Sequence, residues 1–214
     1  MRLVLPRLYV ILDAALITAP ERECAASLAE AGVRLLQYRN KSAPARRYLE
    51  SSRELAQMLC PLGVSFIVND RADVAFLAGA SGVHVGQDDL DVESARRVAG
   101  REKLVGISTH NMEQFERAAA SSADYIAVGP VYSTSTKANP DPVVGVAFLR
   151  RVRTLTEKPI VAIGGITLEK AAAVIEAGAD SVAVISGILT AADPGERAKQ
   201  YLNTLEAAKH AAAV

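Results

Sequence analysis

Residues 160–187 read IVAIGGITLEKAAAVIEAGADSVAVISG. The runs at 160–163 and 181–185 are short, apolar and rich in β-branched residues, which is typical of strands that are buried on both faces. Between them, residues 168–176 have the length and composition of a helix. Ala177-Gly178-Ala179, like Ala31-Gly32-Val33 earlier in the chain, indicates a helix C-cap that leads into the next strand. The stretch therefore predicts a strand–helix–strand unit with two parallel strands and a right-handed crossover.

The same alternation runs along the whole chain. We predict strands at 8–12, 35–39, 65–69, 83–86, 104–108, 125–129, 160–163 and 181–185, and helices at 20–31, 44–60, 72–78, 92–99, 112–121, 146–153, 168–176 and 195–208. Eight such units favour an α/β protein with a single (β/α)8 TIM barrel, which we expect to form one domain over residues 1–214. An open doubly wound sheet is the alternative, but the first strand is followed by Asp13-Ala14-Ala15-Leu16 and not by a glycine-rich loop.

Composition limits the classes of partner. The 24 Lys and Arg residues balance the 24 Asp and Glu residues, whereas dedicated nucleic-acid-binding proteins usually carry a basic surplus. No run of roughly 18 or more apolar residues lacks charges, so we expect no membrane span. Cys24 and Cys60 show no metal-binding spacing and fit buried thiols in a reducing compartment. We therefore predict a cytoplasmic protein that acts on small molecules, with an oligomeric state that the sequence does not indicate.

Charged side chains follow the second predicted strand. In barrels of this type the functional groups lie where strands end and the following loops begin. Gln37, Arg39 and Lys41 alternate along the chain, so they would project to one side of an extended segment. Two cations and an amide that face one mouth suit a polyanion such as a diphosphate. A solvated strand end with unrelated charges is the alternative.

Carboxylates follow the third and fourth strands. Asp70 and Asp89 could lie together beside the cations and hold Mg²⁺, which binds one or two carboxylates in addition to substrate phosphate oxygens. Helix capping is an equally good interpretation, because each residue shortly precedes a predicted helix. Asn69 could likewise cap a helix, or it could orient a substrate amine.

A second anion site is predicted after strands six to eight. Residues 133–137, Ser-Thr-Ser-Thr-Lys, suit phosphate binding and could close over a substrate, although an inert solvated loop is the alternative. Gly164-Gly165 and Ser186-Gly187 lie where this barrel class often binds phosphate through backbone N–H groups and a helix N-terminus. Two phosphorylated substrates in one mouth suggest group transfer with diphosphate as the leaving group.

Seven motifs, in order along almost the whole chain, resemble those of the thiamine-phosphate synthase family. They are Gln37-Tyr38-Arg39-Asn40-Lys41, Val68-Asn69-Asp70, residues 82–89 (GVHVGQDD), 106–110 (GISTH), 129–137 (GPVYSTSTK), Ala162-Ile163-Gly164-Gly165-Ile166 and Val184-Ile185-Ser186. None is decisive alone, but seven in register are specific. Ser133 departs from the family pattern, which commonly has proline there, and this affects only the expected stiffness of the loop.

The resemblance implies a reaction. Hydroxymethylpyrimidine diphosphate and thiazole phosphate would join to give thiamine phosphate and pyrophosphate, with Mg²⁺ as the cofactor. In the family, pyrophosphate leaves first and the thiazole nitrogen captures the resulting pyrimidine carbocation. Arg39, Lys41 and Lys137 would stabilise the departing diphosphate. This chemistry needs no strong general base, so we interpret His110 as an ordinary polar loop residue.

The resemblance also implies three sets of binding residues. The pyrimidine diphosphate would contact Gln37, Tyr38, Arg39, Asn40, Lys41, Asn69, His84, Ser108 and Lys137. The thiazole phosphate would contact Thr134, Ser135, Thr136, Gly165, Ile185 and Ser186. Mg²⁺ would be held by Asp70 and Asp89.

Three other functions remain open at the level of sequence. A thiazole tautomerase is a related barrel that moves a proton, and it would not need the complete set of cations and carboxylates. A sugar-phosphate epimerase or aldolase is the second, and an aldolase would use Lys41 or Lys137 as a desolvated Schiff-base amine. The third is a non-catalytic protein that binds thiamine precursors and releases no pyrophosphate.

Overall fold

A closed parallel barrel forms the centre of the molecule. The computed structural model describes residues 3–134, 136 and 141–211. Within these residues, eight strands pair in chain order and the last pairs with the first. The strands are β1 (Leu8–Asp13), β2 (Leu35–Arg39), β3 (Ser65–Asn69), β4 (Gly82–Val85), β5 (Leu104–Thr109), β6 (Tyr125–Val128), β7 (Ile160–Ile163) and β8 (Ser181–Val184). The predicted (β/α)8 barrel is confirmed.

Helices follow the strands and surround the barrel. They are α1 (Glu21–Glu30), α2 (Ala45–Leu59), α3 (Ala72–Ala78), α4 (Val92–Ala99), α5 (Met112–Ala120), α6 (Gly145–Arg153), α7 (Leu168–Glu176), α8 (Ser186–Leu189) and α9 (Pro194–Ala211), with a 3-10 turn at Cys60–Leu62. The predicted strands and helices agree with these bounds to within a few residues. The 3-10 turn and the four-residue helix α8 were not predicted.

The strands are buried on both faces because each contributes to two apolar layers. Leu8, Val10 and Leu12 of β1 pack outward in the larger cluster between barrel and helices. Tyr9 and Ile11 point inward, into a smaller cluster inside the barrel. The alternation of a β-strand thus explains why the strand sequences are continuously apolar and do not alternate between apolar and polar residues.

Local signals at the helix ends agree with the sequence. Gly32 and Gly178 follow α1 and α7 with φ of 104° and 103°, so the expected glycine C-caps are confirmed. Asp91 caps α4 by accepting a hydrogen bond from the Ser94 N–H at 2.8 Å. Cys24 is buried and Cys60 is half-buried. No helix in the described ranges is long and apolar enough to cross a membrane.

Candidate active site

A cavity of about 700 Å³ opens at the C-terminal ends of the strands. Most of the predicted binding residues line it: Gln37, Arg39, Lys41, Asn69, Asp70, His84, Asp89, Ser108, Thr134, Thr136, Gly165, Ile185 and Ser186. Ser135 and Lys137 lie outside the described residues, and their roles stay predictions. The short loops after the strands therefore bring both predicted anion sites into this one cavity, whose opening we call the mouth.

Tyr38 and Asn40 do not line this cavity. Tyr38 alternates with Gln37 on β2, so its ring points outward and its hydroxyl donates to Glu21 Oε1 at 2.7 Å. Asn40 donates to the Tyr38 hydroxyl at 3.1 Å and accepts a bond from the Ala43 N–H at 3.0 Å. Both residues fix the turn that follows β2, and the expectation that they contact the pyrimidine diphosphate stays a prediction.

The two cations of β2 and its loop are each held by a carboxylate. Arg39 donates to Asp13 Oδ2 at the end of β1, and Asp13 is almost fully buried. Lys41 Nζ lies 2.5 Å from Asp70 Oδ2. The Lys41 side chain is 58% exposed. A paired and solvated ammonium does not meet the requirement for a Schiff-base lysine, which weighs against an aldolase that uses Lys41.

Asp70 and Asp89 form the carboxylate pair of the mouth. The helix that follows Asp70 begins after Arg71 without a side-chain cap, and α4 is capped by Asp91, so neither Asp70 nor Asp89 serves as the cap that sequence allowed. Asp89 accepts a bond from the Gly86 N–H at 2.7 Å. Partial burial raises the pKa of Asp89, and the adjacent negative charge of Asp70 adds to the rise. Two carboxylates that repel one another favour a shared cation.

This pair is not a complete metal site by itself. Within the described residues, no group of three or more His, Cys, Asp and Glu side chains is placed to hold a metal. Mg²⁺ commonly takes one or two carboxylates and completes its shell with water and substrate phosphate oxygens. The donors present fit that pattern, in which the metal and the diphosphate bind together.

Asn69 is held at the end of β3 by a buried tyrosine. The Tyr48 hydroxyl on α2 lies 3.0 Å from the carbonyl oxygens of Tyr38 and Asn69, and it accepts a bond from the Asn69 N–H at 3.2 Å. Tyr48 therefore joins the ends of β2 and β3. Asn69 makes no cap to α3, so its side chain is left to face the cavity, which it lines.

His84 and Ser108 lie side by side on β4 and β5. His84 Nε2 is 2.9 Å from Ser108 Oγ, and the imidazole ring stacks on Tyr125 with centroids 5.6 Å apart. Gln87 donates to the Ser108 carbonyl oxygen at 2.6 Å. The two side chains present one connected polar surface to the floor of the mouth.

The second predicted anion site lies on the other side of the mouth. Gly165 has φ of 61°, and a Cβ atom there would stand 2.2 Å from the Ser133 carbonyl oxygen, so only glycine fits against the loop after β6. Thr136 Oγ1 lies 3.4 Å from Ser186 Oγ at the start of α8. These contacts draw the β6, β7 and β8 loops into one cup of hydroxyl and backbone groups.

Comparison with known proteins now assigns the chain to a family. A model described as thiamine monophosphate synthase matches residues 8–188. The chain belongs to this family. It is 53% identical to the thiamine-phosphate synthase of Koribacter versatilis, over 95% of this chain and 97% of that protein. It is 40% identical to the thiamine-phosphate synthase of Agrobacterium fabrum, over 94% of each.

A solved structure supports the same assignment. The thiamine phosphate pyrophosphorylase of Pyrococcus furiosus superposes with a TM-score of 0.86 at 32% identity, and the match covers 95% of this chain and 96% of that one. The predicted resemblance to the thiamine-phosphate synthase family is thus confirmed. Its members are transferases, so the chain is an enzyme of that class.

Two further residues line the mouth of this family member although they were not among the predicted binding residues. His110 Nδ1 lies 2.6 Å from the Gly129 carbonyl oxygen, and its Nε2 lies 3.4 Å from Asp141. It lies in the loop after β5, as expected, and it also lines the cavity. Lys170 stands 4.6 Å above the Tyr132 ring, beside the cup. Their positions, just after β5 and in the first turn of α7, were the signal available in the sequence.

Proposed function

We propose that the chain acts as a thiamine-phosphate synthase which joins hydroxymethylpyrimidine diphosphate to thiazole phosphate and releases pyrophosphate. The observation that supports this most directly is that one mouth carries two unlike anion sites. Arg39, Lys41, Asp70 and Asp89 form a charged cluster on one side, and an uncharged cup centred on Gly165 and Ser186 lies on the other. Two phosphorylated substrates bound at these places would meet above the barrel.

Arg39 and Lys41 bind the diphosphate and stabilise it as it departs. Asp13 holds the Arg39 guanidinium in place before substrate arrives, so little reorganisation is needed as charge develops on the leaving group. Lys41 is paired with Asp70 in the ligand-free protein. Because Asp70 would bind the metal, the Lys41 ammonium would then pair with phosphate oxygens instead. Lys137 is proposed to add a third positive charge.

Asp70 and Asp89 would hold Mg²⁺. The raised pKa of Asp89, which partial burial and the charge of Asp70 cause, supports this choice because a cation relieves both effects. When bound, Mg²⁺ supplies positive charge that neutralises the diphosphate oxygens. Asp89 is fixed for this role by the Gly86 N–H.

The cup holds the thiazole phosphate without a buried counter-charge. Backbone N–H groups near Gly165 and the hydroxyls of Thr134, Thr136 and Ser186 supply donors, and the absence of a side chain at Gly165 lets the phosphate approach the backbone. The pyrimidine carbocation forms beside Ser108 and His84. The thiazole nitrogen then attacks it without any proton transfer to the protein.

One assay tests the reaction. The protein is incubated with both substrates, with and without Mg²⁺, and thiamine phosphate and pyrophosphate are quantified. We expect equal amounts of the two products, and only with Mg²⁺. If thiazole phosphate binds and neither product forms, the proposed function is wrong. Isomerisation of the thiazole substrate alone would indicate a tautomerase.

A set of matched variants tests the metal site. Asp70→Asn and Asp89→Asn each remove one carboxylate, and Asp88→Asn removes a neighbouring carboxylate of the same cavity that has no proposed contact with the metal. We expect the first two to raise the Mg²⁺ concentration needed for half-maximal activity by tenfold or more, and Asp88→Asn to change it far less. Equal responses of all three would reject Asp70 and Asp89 as specific ligands.

A further inference from the structure

Five polar side chains form a linear hydrogen-bond network inside the barrel, below the mouth. Gln37 Nε2 donates to the Tyr9 hydroxyl at 2.7 Å, and the Tyr9 and Tyr125 hydroxyls are 3.0 Å apart. Tyr125 lies 3.1 Å from His84 Nδ1, and His84 Nε2 lies 2.9 Å from Ser108 Oγ. Three of these side chains line the cavity, and the two tyrosines connect them underneath.

The two tyrosines are fully enclosed and packed at defined angles. Tyr9 is 1% exposed and Tyr125 is 0% exposed, so neither hydroxyl contacts bulk water. Their rings meet edge to face with centroids 6.0 Å apart. Burial raises the pKa of both phenols, which keeps them protonated. A buried hydroxyl that lacks a hydrogen bond costs free energy, so breaking any bond of this network is unfavourable.

Gly106 makes the contact between His84 and Tyr125 possible. It pairs with His84 on β4 and with Tyr125 on β6, so it stands between them in the barrel wall. A Cβ atom at Gly106 would come within 2.0 Å of Tyr125 Cζ. The Tyr125 ring therefore fills the space of the missing side chain and reaches across β5 to stack on the imidazole.

The donor and acceptor at each step of the network follow from counting protons. The amide nitrogen of Gln37 can only donate, so the Tyr9 oxygen accepts from it. The other described partner of the Tyr9 hydroxyl is Tyr125, so the Tyr9 proton finds an acceptor there. Tyr125 then has one proton left, which goes to His84 Nδ1. Nδ1 therefore carries no hydrogen, and the imidazole proton lies on Nε2, where it is donated to Ser108 Oγ.

We propose that Tyr125 is a positioning residue that sets the tautomer of His84 and thereby makes Ser108 a hydrogen-bond donor to the substrate. With Nε2 protonated, Ser108 accepts from His84 and its hydroxyl proton is directed to the cavity. With the opposite tautomer, Ser108 would donate to His84 and would present only lone pairs. The ligand suited to this arrangement is a neutral heteroaromatic ring with an acceptor nitrogen. This inference rests on the proposed function and specifies how the pyrimidine of the substrate is recognised.

The tautomer can be measured without substrate. Nitrogen-15 NMR of the ligand-free protein distinguishes protonated from unprotonated ring nitrogens, and the chain has only three histidines, which single substitutions assign. We expect His84 to carry its proton on Nε2. A His84 proton on Nδ1 in the unsubstituted protein would overturn the proposal. This result is independent of whether the chain forms thiamine phosphate.

Two variants and a control test the donor and acceptor order of the hydrogen-bond network. Gln37→Glu replaces the donor at its start with an acceptor, so the imidazole proton should move to Nδ1. Tyr125→Phe keeps the stacked ring but removes the donor to Nδ1, so the single tautomer should be lost. Tyr38→Phe removes a buried hydroxyl on the outer face of the same strand and should leave the His84 spectrum unchanged. An unchanged spectrum in both test variants would overturn the proposal.

Kinetics connect the tautomer to the substrate. In Tyr125→Phe we expect the KM for the pyrimidine diphosphate to rise about three- to tenfold, the usual effect of one hydrogen bond, with little change in the KM for thiazole phosphate. Equal rises for both substrates would indicate a general structural defect and would overturn the kinetic part. If the unsubstituted protein makes no product, the proposed function fails while the NMR result still decides the tautomer.

Discussion

The guanidinium of Arg39 is bound by the carboxylate of Asp13, across the neighbouring ends of β2 and β1. The Asp13 side chain is 3% exposed and that of Arg39 is 22% exposed, so water screens the pair only weakly. Asp13 also accepts a bond from the Ala15 N–H at 3.0 Å, which fixes the carboxylate itself. A cation that is orientated in this way before binding loses less freedom when a diphosphate arrives.

Asp13→Asn should weaken both folding and substrate binding. It removes the charge but keeps an oxygen for the Ala15 N–H, and loss of a hydrogen bond between charged groups should lower the free energy of unfolding by about 2 kcal/mol. The KM for the pyrimidine diphosphate should rise because Arg39 is no longer held. Urea unfolding and steady-state kinetics measure the two effects.

A surface ion pair supplies the control for Asp13. Asp73 pairs with Arg71, and both side chains are close to half exposed. Asp73→Asn should cost at most about 1 kcal/mol, as for other exposed pairs, and should not change KM. Similar losses in the two variants would contradict a special role for Asp13.

Gly106→Ala should destabilise the barrel and uncouple His84 from Tyr125. The new methyl group would overlap the Tyr125 ring, and forced overpacking in a core usually costs about 1–3 kcal/mol. Thermal unfolding should show a lower Tm, and Gly106→Ala combined with Tyr125→Leu should regain part of it because the ring is removed. No recovery in the double variant would place the clash elsewhere.

The fold was predictable because its signal is repeated. Each unit contributes a short β-branched strand and a longer helix, and an error in one unit would leave the alternation of the others intact. The glycine C-caps at Gly32 and Gly178 were visible for the same reason. Helix α8 was missed because four residues are too few to show helical periodicity.

Many of the polar residues that line the cavity were predictable from their positions after strands, and the rest of its arrangement depends on contacts between distant segments. Tyr38 and Asn40 have suitable chemistry, but strand alternation and the turn bonded to Asn40 direct them away from the cavity. Asp13 and Tyr125 were missed because their partners, Arg39 and His84, are far along the chain. Only closure of the barrel brings such pairs together.

The acid dependence of stability should include a contribution from the cap of α4. Hydrogen bonds from the Ser94 N–H and hydroxyl lower the pKa of Asp91. A carboxyl whose pKa is lowered by folding stabilises the protein above the pKa of the unfolded chain, and this contribution is lost as pH falls through the folded value. Asp91→Ala should therefore lower Tm at pH 7, and the difference from the unsubstituted protein should shrink as pH falls below the ordinary titration range of an aspartate. A difference that is independent of pH would show that the ionised carboxylate is not what caps the helix.

Lys170→Gln should weaken the binding of thiazole phosphate selectively. Lys170 lies on α7 beside the cup, and its ammonium group is held 4.6 Å above the Tyr132 ring, which leaves its charge available to a phosphate. Because the side chain is exposed, the KM for thiazole phosphate should rise only about two- to fivefold, as expected for a screened charge. The KM for the pyrimidine diphosphate should not change.

Three comparisons separate this charge effect from a structural one. Lys170→Arg keeps the charge and should retain a normal KM for thiazole phosphate. The dephosphorylated thiazole alcohol, used as a competing ligand, should bind Lys170→Gln and the unsubstituted protein equally, because the variant loses a contact only with the phosphate. The effect should also diminish at high ionic strength, where mobile ions screen an exposed charge. A loss of equal size for the alcohol and the phosphate, or one that is insensitive to salt, would show that Lys170 acts by holding Tyr132 and the β6 loop and not by attracting phosphate.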